Sequence, residues 1–256
     1  MNKIRYDMAK KMKQKQCIAD IPSLSRRLFT VIIMMVASVL CTEAQTRING
    51  LYYNLDSNTK TASVARNATA SGDIVIPEKV SYGNVEYTVT SLGDQCFDCC
   101  SELKSIRIPN TVTRIGRQAF FACASLEKIE IPNSVNYIGY QAFSDCYSLE
   151  SIIIPSSVTE MEGSTFSGCN NIRSIEVAQN NKVYDSRDNC NAIIETATNT
   201  LISACSYSTI PSSVTTIKSL AFYCCDYLAS IDIPNSVTTI EKYAFEGCKR
   251  LTQITC

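Results

Sequence analysis

The side chains able to do chemistry in this chain are cysteines and carboxylates. Its 256 residues contain no histidine and no tryptophan. Ser-His-Asp and Cys-His nucleophilic catalysis are therefore excluded, together with every imidazole metal ligand. Carboxylate pairs are present, for example Glu160 with Glu162 and Asp185 with Asp188. Such pairs hydrolyse glycosidic bonds only when they flank a pocket and their environments keep one protonated and the other ionised. In a solvated loop both simply ionise, and nothing in the sequence marks a pocket around either pair. A carboxylate-based hydrolase therefore ranks below binding and scaffolding roles, and the chain is expected to be no enzyme and to use no cofactor or metal.

Six of the fourteen cysteines follow one rule. Cys100, Cys123, Cys146 and Cys169 lie 23 residues apart, as do Cys225 and Cys248. That spacing resembles no zinc motif. In stacked repeats equivalent Cβ atoms would lie ~4.7–4.9 Å apart, farther than the ~3.5–4.5 Å of a disulfide. The six are expected to form a ladder of buried thiols, because a small side chain with a weak donor fits a tight inward corner. Cys96, Cys99, Cys190, Cys205 and Cys224 stand off this ladder and are open to reaction or pairing, Cys190 with Cys205 first. Cys96-x-x-Cys99 has the form of a redox motif, but its surroundings are already explained by the repeat.

The cysteines are one thread of a larger periodicity. Leu103-Lys104-Ser105-Ile106-Arg107-Ile108-Pro109 returns as Leu126-Glu127-Lys128-Ile129-Glu130-Ile131-Pro132. Pro109, Pro132 and Pro155 keep the step of 23, as do Pro211 and Pro234. Phe97, Phe120, Phe143 and Phe166 keep it too, as do Phe222 and Phe245. All three series then jump by the same 56 residues, so one enlarged, irregular unit spans about 177–211. Within a unit, Ile-x-Ile alternates as a strand does, and Ala-Phe-x-x-Cys points two side chains inward from one helical or 3₁₀ turn. Proline follows the strand where the chain turns away and needs no ladder donor. About seven buried side chains per unit cannot offset the entropy of ordering 23 residues, so units must stack into a quasi-one-dimensional solenoid.

The series Ile131-Pro132-Asn133-Ser134-Val135, Ile138-Gly139, Ala142-Phe143 and Cys146 resembles the BspA-type leucine-rich-repeat proteins of bacteria and parasitic protists, over residues 73–256. The stretch from Asn189 to Ile194, followed by Asn199 to Ile202, is similar to the irregular unit that recurs in that family. The resemblance implies a leucine-rich-repeat solenoid with a parallel β-sheet on its concave face and short helical or 3₁₀ turns and extended segments elsewhere. It also implies an exported surface or secreted protein that adheres to host matrix proteins, host cells or other microbes.

The flanks complete this organisation. Residues 1–44 carry eight Lys or Arg against three Asp or Glu and end in the thirteen-residue apolar run Leu28 to Leu40. The run is too short to span a bilayer and matches the apolar region of a secretory signal. Cleavage is expected before Gln45, with a retained anchor as the alternative; no transmembrane span is expected in the mature chain. A lipidated Cys41 fits poorly because bulky Leu40 precedes it, and Met8 or Met12 would give a signal of more usual length. Residues 45–90 lack the period, yet Ile48 to Leu55 and Val85 to Val89 alternate as strands do and are expected to form a β-rich cap. Residues 91–256 form the repeats, and the chain stops inside a strand at Cys256, as a fragment would or an edge covered by a partner.

After residue 44 sixteen basic groups face twenty-one acidic ones, which argues against a nucleic-acid partner. A protein or glycoprotein ligand, of host matrix or cell surface, is expected on the outward positions of the strand ladder. Those with most to offer are Arg107, Lys128, Glu130, Ile153, Glu176 and Asp232. A spacer or scaffold without its own ligand is the alternative. One sequon, Asn67-Ala68-Thr69, is present.

Overall fold

The computed structural model describes residues 45–256, so the signal expected over residues 1–44 lies outside them. Chain folding begins with a hairpin, β1 (Thr46–Ile48) against β2 (Leu51–Asp56), continued antiparallel by β3 (Thr61–Val64). The single strand expected from Ile48 to Leu55 is in fact two, because Asn49 and Gly50 both take positive φ (48° and 92°) and make the tight turn that Asn-Gly favours. There follow β4 (Gly72–Val75), β5 (Lys79–Tyr82) and β6 (Val85–Leu92). β5 pairs antiparallel with β6, whereas β3 pairs with β6 in parallel.

From there the chain is a β-solenoid of about eight turns with almost no helix. One ladder runs from β3 and β6 through β8 (Arg114–Ile115), β10 (Tyr137–Ile138) and β12 (Glu160–Met161). Its register stacks Val64, Leu92, Ile115, Ile138 and Met161. The Ile-x-Ile segments make the second ladder: β4 with β7 (Leu103–Arg107) and β9 (Lys128–Ile129), then β11 (Ser151–Ile154) with β13 (Ser174–Val177). Thus β3 and β4 already form a coil, although Val64 and Ile74 belong to no Phe or Cys series.

The Ala-Phe-x-x-Cys corner is not helical, contrary to expectation. Among the described residues the one 3₁₀ turn is Arg187–Asn189, in the irregular unit. At the corners Gln95, Gln118 and Gln141 take positive φ of 58°, 53° and 52°, which ends any helix. The N–H groups of Gln118, Phe120 and Ala122 donate instead to the carbonyls of Tyr140, Ala142 and Ser144 in the next coil, each at 2.8 Å. A donor committed to the next coil cannot serve a helix. The left-handed glutamines gain an amide ladder in return, Gln95 Nε2 to Gln118 Oε1 and Gln118 Nε2 to Gln141 Oε1, both at 3.0 Å. Inside the corners Phe97, Phe120, Phe143 and Phe166 stack with centroids 5.3–5.5 Å apart.

The regular stack stops at the irregular unit. Its strands β14 (Tyr184–Asp185), β15 (Ala192–Glu195) and β16 (Thr200–Ala204) pair antiparallel; β17 (Thr216–Ile217) then resumes parallel stacking on β16. Side chains cover the exposed edges of the coil before. Asn191 Oδ1 accepts the Ile175 N–H, and its Nδ2 donates to Arg173 O. Ser186 Oγ accepts the Val177 N–H, and Tyr184 Oη accepts that of Met161. The core divides here into two clusters. Ala204, which accepts the Cys225 thiol as Phe222 does that of Cys248, places no ring between Phe166 and Phe222. Beyond it lie β18 (Ser230–Asp232) paired with β20 (Gln253–Thr255), and β19 (Thr239–Ile240) on β17.

Because main-chain and aromatic stacking give way to side-chain contacts at this junction, the two segments are expected to open separately. Phe143→Ala should cost about 3–5 kcal/mol. In native-state hydrogen exchange it should accelerate the slow amides of residues 92–177 and leave those of 211–256 unchanged. Equal acceleration of both would show one cooperative unit.

Candidate functional site

Alternation along the Ile-x-Ile strands turns Ile106, Ile152 and Ile175 into the core and the residues between them outward. Arg107, Lys128, Glu130, Ile153, Glu176 and Asp232 are all exposed, and Ile153 stands opposite Glu176 in the β11–β13 register. The row is not one continuous site. Arg107 and Glu130 share a cleft of about 430 Å³ with Val75, Pro109 and Pro132. Val75 is 66% exposed there, which sequence reading missed because β4 lies outside the period. Glu176 borders a second cleft, of about 780 Å³, at the irregular unit. Asp232 lies on a third, beyond the break in the ladder, while Lys128 and Ile153 stand on open surface.

The two carboxylate pairs are engaged structurally. Glu162 accepts the Tyr137 hydroxyl (2.6 Å), the Tyr140 N–H and Arg117 Nε (3.1 Å each). The Tyr137 hydroxyl above all, against some cost of burial, holds its carboxyl below the usual range. A carboxyl so held is ionised and does not act as a general acid. Arg187 binds both oxygens of Asp185, by Nε at 2.8 Å and Nη2 at 2.6 Å. In each pair one carboxylate is thus committed to an ion pair with arginine.

The ladder cysteines are free thiols, and each meets a specific acceptor. Cys123, Cys146, Cys169 and Cys248 donate to the carbonyls of Phe97, Phe120, Phe143 and Phe222 at 2.9–3.2 Å. Cys100 does the same to Asn67 O at 3.0 Å. Burial pushes the Cys123 thiol up to about 12 and that of Cys248 to about 11. Cys190 and Cys205 form no disulfide: Cys190 Sγ donates to Ala192 O, and Cys205 Sγ accepts from Asn191 Nδ2 at 3.3 Å. Cys96 is buried and Cys99 exposed, and both thiols are raised, by burial and by the Asp98 carboxylate respectively. A redox cysteine needs the opposite shift. Asn67 of the sequon is buried, its amide bonded to Ala65 O at 2.7 Å, so folding removes it as an acceptor.

A sequence model of the BspA type leucine rich repeat region matches residues 77–192 and 190–256, in six copies. The chain belongs to this family. No curated protein matches it. Among solved structures this BspA-type chain is similar in fold to the pneumococcal vaccine antigen PcpA, with TM-score 0.61 and 17% identity over 84% of this chain and 70% of that one. A leucine-rich repeat protein of Bacteroides ovatus is 27% identical over 82% of this chain and 52% of its own, with TM-score 0.55. The leucine-rich repeat protein of T. pallidum is 25% identical over 82% and 81%, with TM-score 0.52. Family and fold are those of a repeat protein-interaction module. Among the described residues no helix is long and apolar enough to cross a membrane.

The thiol geometry sets two expectations. In native protein at pH 8, Cys99 and Cys256 should alkylate first, and Cys123 and Cys146 only after denaturation. The folded pKa of Cys123 lies above its unfolded value of about 9, so its contribution to stability is full below pH 9 and is lost as pH rises toward about 12. Urea midpoints should fall across that window, and Cys123→Ala should flatten the fall.

Proposed function

We propose that this protein is an exported surface or secreted binding protein, an adhesin-like module that holds a protein or glycoprotein ligand of host matrix or cell surface on the concave face of its Ile-x-Ile ladder. One observation carries this reading: the Ile-x-Ile segments on both sides of the irregular unit present exposed, chemically varied side chains, Arg107, Glu130, Ile153, Glu176 and Asp232, beside inward-facing isoleucines. Solenoids offer such extended faces as their binding surfaces, and the fold is shared with a bacterial vaccine antigen. Residues 1–44 would serve as the export signal, removed before Gln45. The acidic balance of the rest disfavours nucleic acid.

The test is surface-plasmon binding of the chain from residue 45 onward to immobilised matrix proteins and whole cells, beside the variant Arg107→Glu, Glu130→Lys, Glu176→Lys, Asp232→Lys. Saturable binding that falls at least tenfold in the folded variant is expected. If the folded protein binds nothing, adhesion is wrong and the repeats act as a spacer or scaffold.

A further inference from the structure

The second ladder loses a strand beyond β13, and the gap is the cleft of about 780 Å³. The β13 edge from Arg173 to Val177 forms one side, and residues 185–191 with Tyr207 the other. Its groups are polar, planar and held in place. Asn191 bridges the main chain of Ile175 and Arg173, Arg187 forks onto Asp185, and Ser174 Oγ holds Glu176 at 3.0 Å. Asp188 and Asn189 are exposed at the rim. Tyr207, 48% exposed, presents its ring with Arg173 Cζ 5.6 Å from the centroid.

This lining selects a chemistry. Ile175 and Val177 are buried, which leaves the cleft without the apolar anchor pocket that a peptide hot spot needs. An apolar ligand would strip water from Glu176, Asp185 and Asp188 without replacing their hydrogen bonds. A phosphate would meet three carboxylates against two guanidiniums, one of them already bound to Asp185. A neutral polyol fits: its hydroxyls donate to the carboxylates and accept from amide and guanidinium N–H groups, and the C–H face of a pyranose packs on the Tyr207 ring. Small-ligand clefts of about 300–1,000 Å³ are common, and this one has room for one or two sugar rings.

We propose that the cleft between β13 and the irregular unit is a saccharide subsite for a neutral mono- or disaccharide, free or at the end of a protein-borne glycan. The inference deepens the binding-face reading, on which it rests, by naming the chemistry recognised at its Glu176 end.

Saturation-transfer NMR and calorimetry on the protein would use glucose, galactose, N-acetylglucosamine, lactose and chitobiose, with a lysine-rich peptide as the competing class. Saturable binding of at least one saccharide is expected, weakened at least tenfold by Asp188→Ala and by Tyr207→Ala and unchanged by Arg107→Glu in the other cleft. Both weakening residues are on the surface, and an unchanged urea midpoint verifies their folding. A glycoprotein that binds before but not after enzymatic deglycosylation would identify a protein-borne source; equal binding by the free sugar, a free one. Binding of the peptide alone, or of no saccharide, overturns the subsite. Matrix binding by a protein that binds no saccharide would leave the adhesive reading standing while the subsite falls.

Discussion

The regular coils of this protein depend on main-chain donors being passed to the next coil. The N–H groups at the corner, such as those of Gln118, Phe120 and Ala122, have no partner within their own turn and find one 22 residues ahead. Buried main-chain donors cannot go unpaired without cost, so a coil is satisfied only when stacked. The left-handed glutamines, the absence of helix at the corners and the face-to-face phenylalanines all follow from this commitment. Of the outward row, Arg107 sits on β7, which is paired on both sides, whereas Ile153, Glu176 and Asp232 sit on strands paired on one side only.

The irregular unit shows what happens when that hand-off is interrupted. Asn191, Ser186 and Tyr184 imitate with side chains the acceptors that a following strand would have supplied. The imitation closes the edge of β13 without rebuilding a strand beside it. The surface cleft at this point is thus the geometric remainder of a substitution made for stability, and its polar lining is inherited from the groups that perform it.

The solenoid was legible in the sequence because three residue types keep one register, and a chain can satisfy Phe, Cys and Pro at a step of 23 in few ways. Gln95, Gln118 and Gln141 kept the same step in plain view, but their amide ladder needs a left-handed backbone that residue type does not announce. The coil built on β3 and β4 was hidden because Val64 and Ile74 stack by position alone, with neither ring nor thiol to mark them. The six outward residues follow from strand alternation. Their division among separate clefts does not, since it depends on where β4 and the irregular unit come to lie.

The contacts of the ladder thiols have a direction along the chain. Cys123, Cys146 and Cys169 each donate to a carbonyl that lies 26 residues upstream, never downstream. A chain that emerges amino end first therefore finds the acceptor for each ladder thiol already made. Loss of one coil would therefore leave the ladder thiol of the coil after it without its acceptor.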